Sequence, residues 1–247
     1  MLSPYDDSTP VVGTSLGVYI ALSGNTCAGK SGLVETVCDG AGRLGLPAIG
    51  ISERLFHHPY LQLMFSRPER YAFPIQLSFM LERHMVLLRN LELARTVIIE
   101  RSHFDDRMFL EEHRQANRIS TAQVTAYDEL ARVLHARLPA PDVLVLMNPH
   151  PEVSLARLAL AEQRGERPRE FPSEAAKEAW VLAWHRRYES LHDEFRRRRA
   201  TDPAFANTTL IEAGPEPALD ALTAVILERI EERVGDGDLE LIRRGPA

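Results

Sequence analysis

Lysine is nearly missing from this chain: its 247 residues contain two, Lys30 and Lys177, and arginine supplies the rest of the positive charge. Where arginine is the default cation, a lysine marks a place that needs a compact, mobile ammonium rather than a planar fork. Cysteine is as scarce. Cys27 and Cys38 alone make no disulfide framework, and their scarcity points to a reducing compartment. No apolar run approaches the roughly 20 residues that span a bilayer. The acidic, proline-bearing stretch at residues 1–7 does not resemble a secretory signal. Excess basic charge is lacking too: a net charge of −6 removes the overall electrostatic signature of a nucleic-acid binder. Internal repeats and low-complexity tracts are absent. These absences predict a soluble, cytoplasmic protein with no nucleic-acid and no membrane partner, and 45% hydrophobic with 26% charged residues is ordinary globular composition.

One of the two lysines lies in Gly24-Asn25-Thr26-Cys27-Ala28-Gly29-Lys30-Ser31, which follows an apolar run and opens a predicted helix. This is the G-x-x-x-x-G-K-S spacing of a phosphate-binding loop in a strand-loop-helix setting. Glycines let successive N–H groups turn inward, the helix N-terminus adds its positive end, and Lys30 brings a point charge. Ser31 can offer a hydroxyl to a magnesium ion held by the phosphates. From average residue usage the pattern arises by chance on the order of once in a hundred chains of this length. Gly32, just inside the helix, is unexpected there, at a cost of up to about 1 kcal/mol.

Apolar runs at 18–22, 48–51, 97–99, 143–147 and 209–211 alternate with helical stretches. Short, nearly continuous apolar strands of this kind predict a parallel sheet covered on both faces, with ligands at the carboxyl ends of the strands. That edge carries the phosphate loop, Glu53 and Glu100. A helix over 74–93 sets Gln76, Phe79 or Met80, and Arg83 on one stripe, either a ligand-facing face or a core edge with local pairing. Ser120 and Gln123 form a capping box for a helix over about 121–138. The charged stretch 164–170 reads as a lid or as a solvated connector. Along a helix over 174–199, Trp180, Trp184 and Tyr188 form a seam that is either core or a contact between copies of the chain. The predicted layout is a flexible arm over 1–14, one domain over 15–234 with its lid at about 160–172, and a loose tail over 235–247.

Glu53, Pro59-Tyr60-Leu61, the stretch from Arg67 to Gln76, Arg83 and Glu100-Arg101-Ser102-His103-Phe104-Asp105-Asp106-Arg107 resemble, in type, order and spacing, the motifs of the deoxynucleoside kinases. The likeness covers about 18–158 and returns weakly near the lid and the fifth strand. It implies a P-loop NTPase fold in three layers, a five-stranded parallel sheet with helices on both faces. It also implies transfer of a phosphoryl group from ATP, with Mg2+, to the 5′-hydroxyl of a nucleoside. By position, Glu53 is the general base, Lys30 and Arg101 stabilise the group in transit, and Ser31 and Glu100 hold the metal. Arg164 and Arg167 reach the ATP phosphates from the lid. Glu53, Phe65, Gln76, Phe79, Arg83, Asp106 and Glu170 contact the nucleoside. The Arg83 and Asp106 pair favours purine deoxynucleosides or deoxycytidine over thymidine, and the resemblance implies a homodimer.

The chain departs from that pattern in four places. Arg54 stands where proline is usual, and Phe65 where a tyrosine commonly meets the sugar 3′-hydroxyl. The helix between Arg157 and Arg164 is about one turn longer, and Glu166 is an insertion in the lid motif. The sugar contacts are where this chain differs most, which leaves room for a modified nucleoside. Two other readings remain at this stage: a kinase of another acceptor such as a nucleoside monophosphate, and a nucleotide-binding regulatory protein that is no kinase.

Overall fold

The five apolar runs fold as strands because their side chains are covered on both sides, so neither face needs polar alternation. In the computed structural model they are β1 (Tyr19–Gly24), β2 (Ala48–Ile51), β3 (Thr96–Glu100), β4 (Val143–Met147) and β5 (Thr209–Glu212). All neighbours pair in parallel, in the order β2-β3-β1-β4-β5. The structure describes residues 17–53, 61–93, 95–169, 171–214 and 218–244. The predicted arm over 1–14, Arg54, Pro59, Tyr60 and Glu170 lie outside the described residues, as do the side chains of Phe65 and of 235–247.

β1 shows how the layers form. Ile20 and Leu22 point to one face, where α1 (Lys30–Arg43) and α8 (Leu219–Arg244) cover the sheet. Tyr19 and Ala21 point to the other, against α3 (Pro68–Glu92) and α7 (Glu174–Thr201). At roughly 1.5–3 kcal/mol for each large apolar side chain buried, these two layers dominate the fold's stabilisation. A third cluster lies away from the sheet among α2 (Leu61–Ser66), α3, α4 (His103–Gln115) and α5 (Thr121–His135). α6 (Pro151–Gln163) leads through the charged stretch read as a lid or connector to α7.

Several boundaries differ from expectation. α3 starts at Pro68, earlier than Pro74, because Pro68 at the helix start forfeits no intrahelical bond. Pro74 sits inside the helix and removes only one donor in the second turn. α5 closes at His135, short of 138, since Pro139 disfavours helical backbone at Leu138. α8 runs on to Arg244 through the stretch read as a loose tail. There Leu, Glu and Arg outweigh two glycines that cost about 1 kcal/mol each. Gly32 is explained by packing: a Cβ there would lie 3.2 Å from Leu219 Cδ1.

Candidate active site

The parallel arrangement brings the carboxyl ends of β1, β2 and β3 to one rim, and the loops that leave them carry the charged residues. Gly24 ends β1 where a Cβ would stand 2.0 Å from the Met147 carbonyl oxygen, so only glycine lets β4 approach. Gly29 caps α1 with φ 97°, left-handed backbone that glycine adopts without penalty. Cys27 also has positive φ, at 53°. Lys30 folds back over this loop and donates from Nζ to the carbonyls of Gly24 (3.0 Å) and Asn25 (2.7 Å). Burial, and then the nearby Arg101 cation, bring its pKa down to about 8, against the pull of Glu100 and Glu53. Two bonds leave one of the ammonium's three donors for a phosphate oxygen.

Glu100, at the end of β3, is the hub of the rim. Its Oε1 accepts from Ser31 Oγ at 2.6 Å, and its Oε2 accepts from the Glu53 N–H at 2.7 Å. Hard oxygen donors set side by side in this way suit magnesium, which commonly binds one or two protein oxygens together with substrate phosphates. Glu53 pairs with Arg101. Burial works against the Glu53 charge, but Arg101, Lys30 and Arg83 outweigh it and hold the carboxylate pKa below its ordinary value. The side chain of Glu53 remains 44% exposed while that of Arg101 is 13% exposed, so the carboxylate keeps an edge that a substrate can reach.

Arg101 is held from several sides. Its backbone is left-handed at φ 56° and its N–H donates to the Leu22 carbonyl at 2.9 Å. Its guanidinium lies 4.7 Å from the centre of the Phe109 ring, and the Tyr188 phenol is close by. One turn into α4, Asp106 pairs with Arg83 of α3, and both are buried. Gln76 is buried on the same helix, and Phe79 packs against the hydrophobic core. Arg83 is among the cations that act on Glu53, which sets this end of the α3 stripe near the rim.

The stretch read as a lid or connector contributes unevenly. Arg167 Nη1 donates to Thr26 Oγ1 of the phosphate loop at 2.9 Å. The side chain of Arg164 is 61% exposed and stands 3.9 Å from Glu166, so it is not brought to the loop. The second lysine, Lys177, is buried and ties α7 to α6 through Glu162 at 2.6 Å, with Glu174 at 3.0 Å.

A family model for deoxynucleoside kinases matches residues 20–209, well over half of the chain and all of the rim described above. The chain belongs to the deoxynucleoside kinase family. It is a transferase that phosphorylates nucleosides, which sets aside the regulatory reading. This kinase is 30% identical over 174 residues to a deoxyadenosine/deoxycytidine kinase of Bacillus subtilis, covering 69% of this chain and 75% of that one. It is 29% identical over 143 residues to a deoxyguanosine kinase of Dictyostelium discoideum, covering 56% of this chain and 48% of the other. Its fold matches a solved deoxyadenosine kinase from M. mycoides with bound dCTP at a TM-score of 0.61 and 16% identity, over 85% of this chain and 97% of that one.

Two features of the kinase escaped the sequence reading. Arg157 of α6 reaches the Cys27 carbonyl at 3.3 Å, so a second arginine besides Arg167 lies on the phosphate loop. An available signal was its place on the helix that leaves the β4 carboxyl end. Asp105 is fully buried between Ser23 and Ser102, a role announced only by the S-x-x-D capping spacing. Of the two readings of the seam, the structure gives core for Trp184 and Tyr188: Trp184 packs on Phe109 at 4.4 Å and Tyr188 lines the Arg101 pocket, so neither residue is free to meet another chain.

Proposed function

We propose that this kinase transfers the γ-phosphoryl group of ATP to the 5′-hydroxyl of a purine deoxynucleoside or deoxycytidine. The observation that carries the reading is Glu100 bonding both Ser31 of the lysine-bearing loop and the N–H of Glu53, which pairs with Arg101, while the buried Arg83 of the Arg83–Asp106 pair acts on the Glu53 charge. Glu53 is ionised and partly exposed, which suits a base that accepts a proton from a primary alcohol. Arg101 and Lys30 supply fixed positive charge where the transferring group gains negative charge, and Arg157 and Arg167 extend that charge over the loop. Ser31 and Glu100 are the residues that would hold magnesium, whose chemistry when bound is to neutralise charge on the phosphate oxygens.

Gln76 offers an amide donor and acceptor, and Arg83 with Asp106 offers a guanidinium and a carboxylate, a combination suited to a base edge that carries both donors and acceptors. The named activities of the Bacillus and Dictyostelium relatives support the same preference. A turnover panel with labelled ATP tests it. Deoxyadenosine, deoxyguanosine and deoxycytidine are expected to outpace thymidine and every nucleoside monophosphate, and a preference for thymidine or a monophosphate would contradict it. Ribo- and dideoxynucleosides in the same panel report on the sugar contacts that Phe65 and Glu170 are proposed to make.

We also propose that two copies associate through the outer faces of α3 and α5. Leu81 and Met85 on α3, and Leu130 and Val133 on α5, are exposed apolar side chains on two helices that pack together.

A further inference from the structure

The Asp105 carboxylate does more than a helix cap requires. In a capping box the N3 acid returns one oxygen to the N–H of the cap residue, and here Oδ2 does this for Ser102, at 2.9 Å from N and 3.1 Å from Oγ. The other oxygen, Oδ1, crosses to the next strand and accepts from Ser23 Oγ at 2.8 Å. All three residues are fully buried. A surface cap would stabilise α4 equally well without placing a carboxylate where burial raises its pKa.

The position of the link is informative. Ser23 directly precedes Gly24, whose carbonyl holds the Lys30 ammonium. Ser102 directly follows Arg101, whose guanidinium pairs with Glu53. One carboxylate therefore joins the root of the phosphate loop to the root of the Glu53–Arg101 pair. The strands alone do not fix this spacing, because the ladder of β1 with β3 ends at Leu22 and Glu100, before either root. Beyond it the direct backbone tie is the Arg101 N–H on the Leu22 carbonyl.

We propose that Asp105 is a positioning residue for phosphoryl transfer, setting the distance between the Lys30 loop and the Arg101–Glu53 pair through its bond to Ser23. The inference rests on the phosphoryl-transfer reading of this rim. It separates two roles, because Ser23→Ala removes only the bond across the strands and leaves the α4 cap whole. A misplacement near 1 Å can cost on the order of 10²-fold in rate.

The experiment compares wild type, Ser23→Ala, Asp105→Ala, Asp105→Asn and the Ser23→Ala/Asp105→Ala double variant. Melting temperature, equilibrium binding of a fluorescent ATP analogue, kcat, and KM for ATP and for the best nucleoside are measured for each. Ser23→Ala is expected to keep the wild-type melting temperature and nucleoside KM while kcat falls about ten- to a hundredfold, with weaker binding of the ATP analogue. Asp105→Asn can accept from the Ser102 N–H and donate to Ser23 Oγ, so it recovers most of the activity that Asp105→Ala loses. The double variant loses no more than Asp105→Ala alone, as two members of one link should. Wild-type turnover, run alongside, reports on the phosphoryl-transfer reading by itself. A folded Ser23→Ala with wild-type kcat and wild-type analogue binding overturns the proposal, as does an Asp105→Ala defect that follows melting temperature alone.

Discussion

Lys30 is the residue whose charge is most finely balanced. Burial and Arg101 bring its pKa down to about 8, so the free enzyme carries a mostly protonated ammonium at neutral pH and loses it as pH rises through that value. Since kcat/KM reports the free enzyme, kcat/KM for ATP is expected to fall above about pH 8. Phosphate bound to the loop favours the charged form, so kcat falls at higher pH. A pH–rate series checks this, and a kcat/KM that stays level to about pH 10, near the ordinary lysine value, would contradict it. Glu53 works in the opposite direction. Its lowered pKa keeps the base ionised throughout this range and moves any acid limb below the usual glutamate value. At this scale the sequence was informative wherever a residue type was rare or lay in a spaced motif, as with Lys30, Glu100 and Arg83. For Arg157, one arginine among 27, the signal was weaker: its place on the helix that leaves the β4 carboxyl end, where it reaches the Cys27 carbonyl.

Strands were easier to read than helices, for a physical reason. A strand buried on both faces is a short apolar run bounded by polar residues, and β2 and β4 coincide with the runs at 48–51 and 143–147. A helix end depends on local capping, so Ser120 announced α5, whereas the start of α3 depended on whether Pro68 or Pro74 came first. The inner face of α4 is polar at its start, where His103, Asp105 and Asp106 are buried and Asp106 pairs with Arg83. The join between β1 and α1 is the tightest of these elements. Gly24→Ala would drive a Cβ against the Met147 backbone, which no rotamer change can relieve. Denaturant unfolding is expected to show a loss of about 1–3 kcal/mol, together with a raised KM for ATP. Unchanged stability would mean that β4 does not press on the loop as described.

For the molecule as a whole, three helical and sheet layers hold one catalytic rim, and no helix among the described residues is long and apolar enough to cross a membrane. α3 and α5 each keep two apolar side chains exposed after folding, and light scattering is expected to give twice the mass of the 27.8 kDa chain. Met85→Glu with Val133→Glu should yield monomers, and wild-type monomers at micromolar concentration would contradict the proposed contact. In the proposed reaction Glu53 removes the proton from the nucleoside hydroxyl at the rim of the phosphate loop. The most direct measurement follows label from γ-labelled ATP into the nucleoside, comparing wild type with Glu53→Gln at equal ATP affinity. The account predicts a labelled 5′-monophosphate from wild type and a kcat lower by about 10² or more in the variant. Near wild-type turnover by Glu53→Gln would contradict it.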